Sequence, residues 1–287
     1  MTRGAPVGDA AANAVEHLRA EIARHARLVV AFSGGVDSAL VARVATDVLG
    51  ADAVLCVTAV SASLAPGELE ECGRLAAEWG LRFATVATGE LEDPAYVRND
   101  LDRCARCKDA LMDALAPLAA REKASVALGV NLDDLGEHRP GQGVARRRGA
   151  VFPLVAAGLT KNDVRAASRL LGLRTWDKPA AACLASRLPH GTAVTVGRLA
   201  QVGRAEAALR RLGFRQLRVR HLGDTARVEV ALEEMPLVLE RRGAVVEALH
   251  DAGYRHLTLD LEGFRSGNLA RAALAERAGD PRAKLAR

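Results

Sequence analysis

Three features of the sequence predict an α/β fold built on a doubly wound parallel sheet, with a smaller C-terminal α+β domain. The first is Leu28-Val29-Val30-Ala31-Phe32 running into Ser33-Gly34-Gly35-Val36-Asp37-Ser38 and then Ala39-Leu40-Val41-Ala42. This is an apolar run of strand length, a turn with two glycines, and a switch to helical spacing. The second is the continued alternation of strand and helix patterns, which implies right-handed crossovers and parallel strands. The third is a change of rhythm past a two-proline segment, Lys178 to Thr192, which reads as a domain junction. The expected domains are residues 1–185 and 186–287.

In chain order, an amphipathic stretch near Ala11 to Ala26 precedes the first strand. Val54 to Val60 is expected as a strand, Pro66 to Trp79 as a helix with Pro in its first turn, and Arg82 to Val86 as a third strand. Cys104 to Arg121 has helical spacing, and Ser125 to Val130 is a short apolar strand. Thr160 with Asp163 has the capping-box pattern, Asp replacing the usual Glu or Gln, for a helix to about Leu171. Beyond the junction the pattern predicts a helix from Val196 to Leu212, strands Leu217 to His221 and Arg227 to Val230, a helix from Glu234 to Ala252 and a strand His256 to Leu261. Parallel sheets gather ligands beyond the carboxyl ends of their strands. The loops Ser33 to Ser38, Ser61 to Ser63 and Asn131 to Gly136 are therefore expected over one crevice.

Length and composition agree with this. The 287 residues, 49% of them hydrophobic, suit about two domains with a sizeable core. No run approaches the roughly 18 apolar residues of a membrane helix, and Met1 to Ala14 shows no charged leader before an apolar stretch. A cytoplasmic protein without a membrane partner is expected. A net charge of +5 permits an anionic substrate without demanding one, and 3% aromatics argue against base-stacking platforms. Arg146-Arg147-Arg148 reads as a solvated loop, so no nucleic-acid partner is expected. Five cysteines, an odd number, suggest reduced thiols.

The glycine turn reads as a phosphate cradle. Backbone N–H groups at Gly34 and Gly35 converge on an anion, the hydroxyls of Ser33 and Ser38 add donors, and the helix N-terminus adds partial positive charge. No Lys follows the glycines, so it is not a Walker A loop. Asp37 is the candidate Mg²⁺ ligand, and Ser61, Asp133 and Asp134 are candidates to orient a nucleotide. Cys183 fits either a small buried apolar residue or a reactive thiol. Lys178, Arg187 and His190, close in sequence, favour the nucleophilic thiolate, and Arg187 is also a candidate cofactor-binding residue. Cys104-Ala105-Arg106-Cys107 at a helix start fits a redox pair, half a zinc site or two unlinked thiols, and no second CxxC or spaced His pair completes a zinc pattern. Arg218 and Arg220 alternate along a strand and share a face, suited to a phosphate or to solvent. Glu206, Glu229 and Asp260 are read as a solvated face, with metal ligation as the alternative; Cys56 and Cys72 are read as structural.

The loop Ser33 to Ser38 resembles the SGGxDS motif of the PP-loop ATP pyrophosphatases, which implies ATP cleavage between the α and β phosphates with an adenylated intermediate. Four stretches narrow the resemblance to the LarE family of ATP-dependent sulfur transferases: Lys178 to Gly191, Arg218-Val219-Arg220, Leu259 to Gly267, and Asn131 to Gly141. Together with the loop they cover nearly the whole chain, from about Leu28 to Gly267. The family implies an enzyme that adenylates the carboxylates of pyridinium-3,5-biscarboxylic acid mononucleotide and converts them to thiocarboxylates, a step toward the nickel-pincer nucleotide cofactor. It implies Cys183 as the sulfur-carrying residue, Arg218 and Arg220 as receivers of the substrate's phosphate, residues 186–287 as a substrate-binding and oligomerisation domain, and a homo-oligomer, with a hexamer as one form. Members with the additional CxxC resemble a subgroup in which three thiolates, here Cys104, Cys107 and Cys183, hold a [4Fe-4S] cluster with one iron open. That reading makes the sulfur cluster-borne; the other makes Cys183 sacrificial. PP-loop tRNA thiolation and a non-catalytic nucleotide-binding regulator are the competing functions.

Overall fold

The structure, a computed structural model, describes residues 7–135, 140–179 and 182–265. Its contacts gather into two compact units, one drawn from Met1–Ser61, Gly67–Glu90 and Cys104–Ala181, the other from Ala62–Pro66, Leu91–Arg103 and Ala182–Arg287.

The first unit carries α1 (Val7–Ile22), β1 (Leu28–Ala31), α2 (Val36–Leu49), β2 (Val54–Val60), α3 (Glu68–Glu78) and β3 (Phe83–Ala87). After α4 (Pro94–Val97), which belongs to the other unit, come α5 (Arg103–Glu122), β4 (Ser125–Leu128), α6 (Leu132–Leu135), α7 (Pro140–Arg147), α8 (Pro153–Ala156) and α9 (Lys161–Leu170). The four strands form one parallel sheet in the order β3-β2-β1-β4, with Val30 opposite both Cys56 and Ala127. Both faces are covered, as the continuous apolar strands require. Leu28 and Val30 enter a core with Leu18, Leu40 and Leu75, while Val29 between them enters a second core with Leu55, Met112 and Leu115. The expected doubly wound parallel sheet is present.

The second unit adds α10 (Val196–Arg211), β5 (Leu217–Leu222), β6 (Thr225–Val230), α11 (Met235–Glu240), α12 (Arg242–Asp251) and β7 (His256–Leu259). β5 and β6 are antiparallel, β6 and β7 parallel. Ala205 and Leu209 of α10 and Leu249 of α12 close its core over Val219, Val228 and Val230.

Several boundaries differ from the expected ones for local reasons. α3 starts at Glu68 because Gly67 stands at φ 83° and ends the preceding turn. The single helix expected over Glu234 to Ala252 is two, broken at Arg241, whose backbone leaves helical geometry while its guanidinium bonds the Leu212 carbonyl. Arg146 and Arg147 close helix α7 instead of lying in a loop, and Arg148 pairs with Asp109 and Asp113 of α5. The strand expected to Val130 stops at Leu128, where Gly129 follows.

The second unit reaches back to Leu91–Arg103 because Asn99 is built into it. This buried residue sits at φ 61°, donates from Nδ2 to the carbonyls of Pro189 (2.8 Å) and Thr192 (2.9 Å), and accepts from Arg103 Nη1 at 2.6 Å. Arg103 also donates to the Ala185 carbonyl at 2.7 Å. Asn99→Ala is expected to cost about 3 kcal/mol, read as a lowered urea midpoint, through buried carbonyls left unsatisfied and a left-handed conformation Ala tolerates poorly. Asn99→Gly, free of the backbone penalty, will cost less; equal midpoints for Asn99→Ala and the parent chain would disprove this role.

Candidate functional site

The phosphate-loop residues stand at the carboxyl end of β1. Phe32 extends the sheet through its N–H to the Val57 carbonyl at 2.8 Å, and Gly34 then turns at φ 64°. The loop is braced by its serines: Ser33 N donates to Ser38 Oγ at 3.2 Å, the two hydroxyls lie 3.1 Å apart, and Ser38 Oγ donates to the Gly35 carbonyl at 3.2 Å. Gly35 occupies the N-cap of α2 without a side-chain cap. The first-turn N–H groups and the helix dipole are thus left for an anion. Gly129, just past β4, permits this placement: a Cβ there would stand 2.6 Å from Ser38 N and 2.9 Å from the Asp37 carbonyl carbon.

Asp37 is held from two sides. Asn131 Nδ2 donates to its Oδ1 at 2.9 Å, and the Lys161 ammonium pairs with its Oδ2. Asn131 is itself fixed, its Oδ1 accepting from the backbone N–H of Asp133 (3.0 Å) and Asp134 (3.2 Å). Asp133 Oδ2 accepts from the Lys161 backbone N–H at 2.8 Å, so this carboxylate is engaged at the start of α9. The capping box expected there is formed, with Asp163 Oδ2 accepting from Thr160 N at 2.9 Å. Ser61 follows β2 at the same edge of the sheet. Asp37 suits a magnesium ion in donor chemistry and placement: a carboxylate beside the phosphate loop, against which a cation, the Lys161 ammonium, already rests.

Lys178, grouped with Cys183 on sequence proximity, lies in the first unit, its Nζ 3.8 Å from where a Cβ on Gly34 would be and 2.9 Å from Glu68 Oε2. Cys72 packs under the same glycine, fully buried, and burial pushes its thiol up; Cys56, in β2, is pushed up to about 12 by burial.

In the second unit Cys183 is partly exposed at the head of a 3-10 turn, Leu184–Arg187. Leu184 N donates to the Ser63 carbonyl at 2.9 Å and Ser186 N to the Cys183 carbonyl at 3.0 Å. Arg187, expected as a ligand-binding residue, is 1% exposed and wholly engaged. Its Nε and Nη2 grip Glu206 at 2.7 and 2.8 Å, while Nη1 donates to the carbonyls of Ala182 (2.7 Å) and Cys183 (3.0 Å) and to Ser186 Oγ (2.9 Å). It positions the cysteine loop.

Arg218 and Arg220 share a face, as expected, but that face is buried. Arg220 clamps Glu229 at 2.9 and 2.7 Å and donates to the Ser186 carbonyl at 2.9 Å. Arg218 stacks 4.9 Å over the Phe264 ring. Burial first, then the like charge of Arg187, pull its guanidinium down to about 10. The solvated reading of Glu206 and Glu229 is corrected: both are fully buried counter-ions, because buried guanidiniums require partners. Asp260 lies 3.7 Å from Arg227, which also approaches Glu229 at 3.5 Å. Arg187 and Arg210 thus face Glu206, Arg220 and Arg227 face Glu229, Arg227 also approaches Asp260, and Arg218 lies in the field of Arg187, Arg210, Arg220 and Glu206.

Cys104 is exposed and Cys107 half-buried at the start of α5, in the first unit, whereas Cys183 belongs to the second. Among the described residues no group of three or more His, Cys, Asp or Glu side chains is placed to hold a metal ion. The Asn131 to Gly141 and Leu259 to Gly267 stretches fall partly on residues 136–139 and 266–267, and Ala180 and Ala181 of the cysteine stretch likewise, all outside the described residues.

Lys161, Glu68, Gly129 and the Asn131 side chain were not singled out from sequence. A Lys at the first position of α9 is a readable signal, since it faces the positive end of the helix dipole and needs another reason to be there. The others lie far from the loop in sequence and carry no pattern.

A family model described as NAD synthase matches residues 11–113. The pyridinium-3,5-bisthiocarboxylic acid mononucleotide synthase of Lactiplantibacillus plantarum is 38% identical over 244 residues, 85% of this chain and 88% of its own length. An uncharacterised protein of Synechocystis is 45% identical over 261 residues, 90% of this chain and 97% of its own. The glutamine-dependent NAD(+) synthetase of Rhodobacter capsulatus is 46% identical over 68 residues, 24% of this chain and 12% of its own.

The Glu206 carboxyl is raised by burial but more strongly lowered by its hydrogen bonds with Arg187 and by the charges of Arg187, Arg210 and Arg218, which hold it below the ordinary carboxylate range. A depressed carboxylate contributes stability that is present at neutral pH and is lost as pH falls through the folded value. Glu206→Gln is therefore expected to cost about 3 kcal/mol at neutral pH, since it strands a buried guanidinium, and to lose part of the acid-induced destabilisation of the parent. Identical acid limbs in urea titrations of the two proteins would contradict the pairing.

Proposed function

The chain belongs to the family of the pyridinium-3,5-bisthiocarboxylic acid mononucleotide synthases, the LarE-type sulfur transferases, and on that premise we propose that it adenylates the carboxylates of pyridinium-3,5-biscarboxylic acid mononucleotide and converts them to thiocarboxylates. The observation that carries this reading is the serine-braced loop Ser33 to Ser38 at the uncapped start of α2. A substrate carboxylate oxygen attacks the α phosphorus of ATP, and pyrophosphate leaves to a cradle formed by the N–H groups of Gly34 and Gly35 and the hydroxyls of Ser33 and Ser38. Asp37 would hold Mg²⁺, which supplies charge neutralisation on the phosphates. Asn131 orients that carboxylate.

The acyl-adenylate is the activated electrophile that a carboxylate is not. The Cys183 thiolate attacks the acyl carbon, AMP leaves, and a thioester forms. Removal of the cysteine Cα proton and cleavage of its C–S bond then leave the thiocarboxylate and dehydroalanine at position 183. Arg187 fixes the backbone at Cys183 throughout. The planar guanidiniums of Arg218 and Arg220, on one face of β5, suit the phosphate of the mononucleotide.

A second reading of the sulfur source is supported by Cys104 and Cys107, one turn apart at the start of α5. In it these two thiols and Cys183 would hold a [4Fe-4S] cluster, which would supply the transferred sulfide. A cytoplasmic setting and a homo-oligomer are carried forward as part of the proposal; among the described residues no helix is long and apolar enough to cross a membrane.

Asp37→Ala and Ser38→Ala are expected to abolish pyrophosphate release in the presence of the mononucleotide while keeping the parent's circular dichroism; undiminished release in both would remove the loop from the mechanism. The sulfur source is read from protein prepared without oxygen. Dehydroalanine at position 183 after turnover, with full activity in the Cys104→Ser, Cys107→Ser variant, establishes the sacrificial route, whereas about four irons per chain, lost on changing any of the three cysteines to Ser, establishes the cluster.

A further inference from the structure

The phosphate loop contains no lysine, yet the fold brings one to it from far along the chain. Lys178 Nζ stands 3.8 Å from the Cβ position of Gly34, the residue whose left-handed turn opens the cradle. Its placement is over-determined. Lys178 N donates to the Thr175 carbonyl at 3.1 Å, and Arg165 of α9 donates to the carbonyls of Trp176 (2.7 Å) and Lys178 (3.3 Å). Arg174 ties the same segment to Glu71 and Glu78 of α3 at 2.5 and 2.7 Å. The ammonium itself is paired with Glu68 of α3 at 2.9 Å, and each of the two side chains keeps 21% exposure, so the pair can exchange partners with an incoming anion.

We propose that Lys178 is a catalytic residue of the adenylation step, binding the β and γ phosphates of ATP and the departing pyrophosphate, and that Glu68 is the counter-charge holding its ammonium at the loop between turnovers. This rests on the adenylation reading given above. In the step, the bond from the substrate carboxylate oxygen to the α phosphorus forms as the bond from that phosphorus to the bridging oxygen breaks. The electron pair stays on the bridging oxygen, and the negative charge that develops on pyrophosphate meets a fixed positive charge. Lys161 is placed differently, its ammonium resting on Asp37, the carboxylate that would hold Mg²⁺ on the adenylation reading. The backbone cradle supplies only partial charges for a leaving group carrying several full ones; Lys178 supplies a whole one.

The test uses the full chain and titration calorimetry with two probes, inorganic pyrophosphate with Mg²⁺ and AMP, which lacks the β and γ phosphates. Lys178→Met is expected to weaken pyrophosphate about tenfold or more, the range of one charge-assisted hydrogen bond, with AMP affinity unchanged. Lys178→Arg will restore most of the loss, and Glu68→Gln will leave pyrophosphate binding at least as tight as in the parent, since it removes a competitor for the ammonium. If Lys178→Met does not fold, the Lys178→Met, Glu68→Gln double variant carries the comparison. Equal pyrophosphate affinity in parent and Lys178→Met, or a parallel loss of AMP, overturns the role of Lys178 and leaves the adenylation reading standing. A parent protein that binds neither ATP nor pyrophosphate overturns both.

Discussion

Parallel pairing of β1 with a neighbour on each side is the constraint from which the first unit follows. Because β1, β2 and β4 run the same way, the chain leaving each of them emerges at one edge, and residues far apart in sequence arrive together. The order β3-β2-β1-β4 reverses direction beside β1, and that is where Asp37, from the helix after β1, accepts a hydrogen bond from Asn131, after β4. The two connections approach so closely that only glycine fits at position 129. The loop's anion chemistry is thus a consequence of sheet topology, completed by the absence of a capping side chain at Gly35.

The second unit is organised by a different demand, the neutralisation of buried guanidiniums. Arg187 and Arg220 each clamp one carboxylate with two nitrogens and spend the third on backbone carbonyls around Cys183 and Ser186. Bidentate geometry of this kind is what lets a buried pair offset its desolvation. It also makes the cysteine turn an extension of the β5–β6 sheet rather than an independent loop. The same network surrounds Arg218, stacked on Phe264, with the charges of Arg187, Glu206, Arg220 and Arg210.

Much of this was legible in the sequence, for identifiable reasons. β1 and α2 were readable because an apolar strand, two glycines and a helical period coincide within fifteen residues, and the α9 start because a capping box is local. The break at Arg241 was not, because no Gly or Pro stands there and the carbonyl its guanidinium bonds, that of Leu212, is remote in sequence. Glu206 and Glu229 were misread for the same reason. A single acidic residue on a helix or strand looks solvated until the arginine opposite it is known, and Glu229 faces Arg218 across a register that only pairing reveals. Asn99 shows the limit most clearly: nothing near it in sequence announces that it ties residues 91–103 to the C-terminal unit.

The loop's lack of its own lysine bears on how it handles charge. A lysine inside the loop would stand unpaired beside an empty cradle and raise its affinity for any anion. Here both ammonium groups at the loop are supplied from elsewhere, Lys161 from the start of α9 and Lys178 from the segment clamped to α3, and each rests on a carboxylate, Asp37 or Glu68. An anion must therefore displace a carboxylate, so its binding is an exchange of ion pairs rather than a bare gain of Coulomb energy. Such an exchange favours a ligand that satisfies the freed carboxylate as well, and a phosphate chain accompanied by a divalent cation does so while a lone anion does not. The pairs Lys161–Asp37 and Lys178–Glu68 thus hold the ammonium groups at the loop through contacts that, on the adenylation reading, a magnesium-bound phosphate chain replaces on both sides.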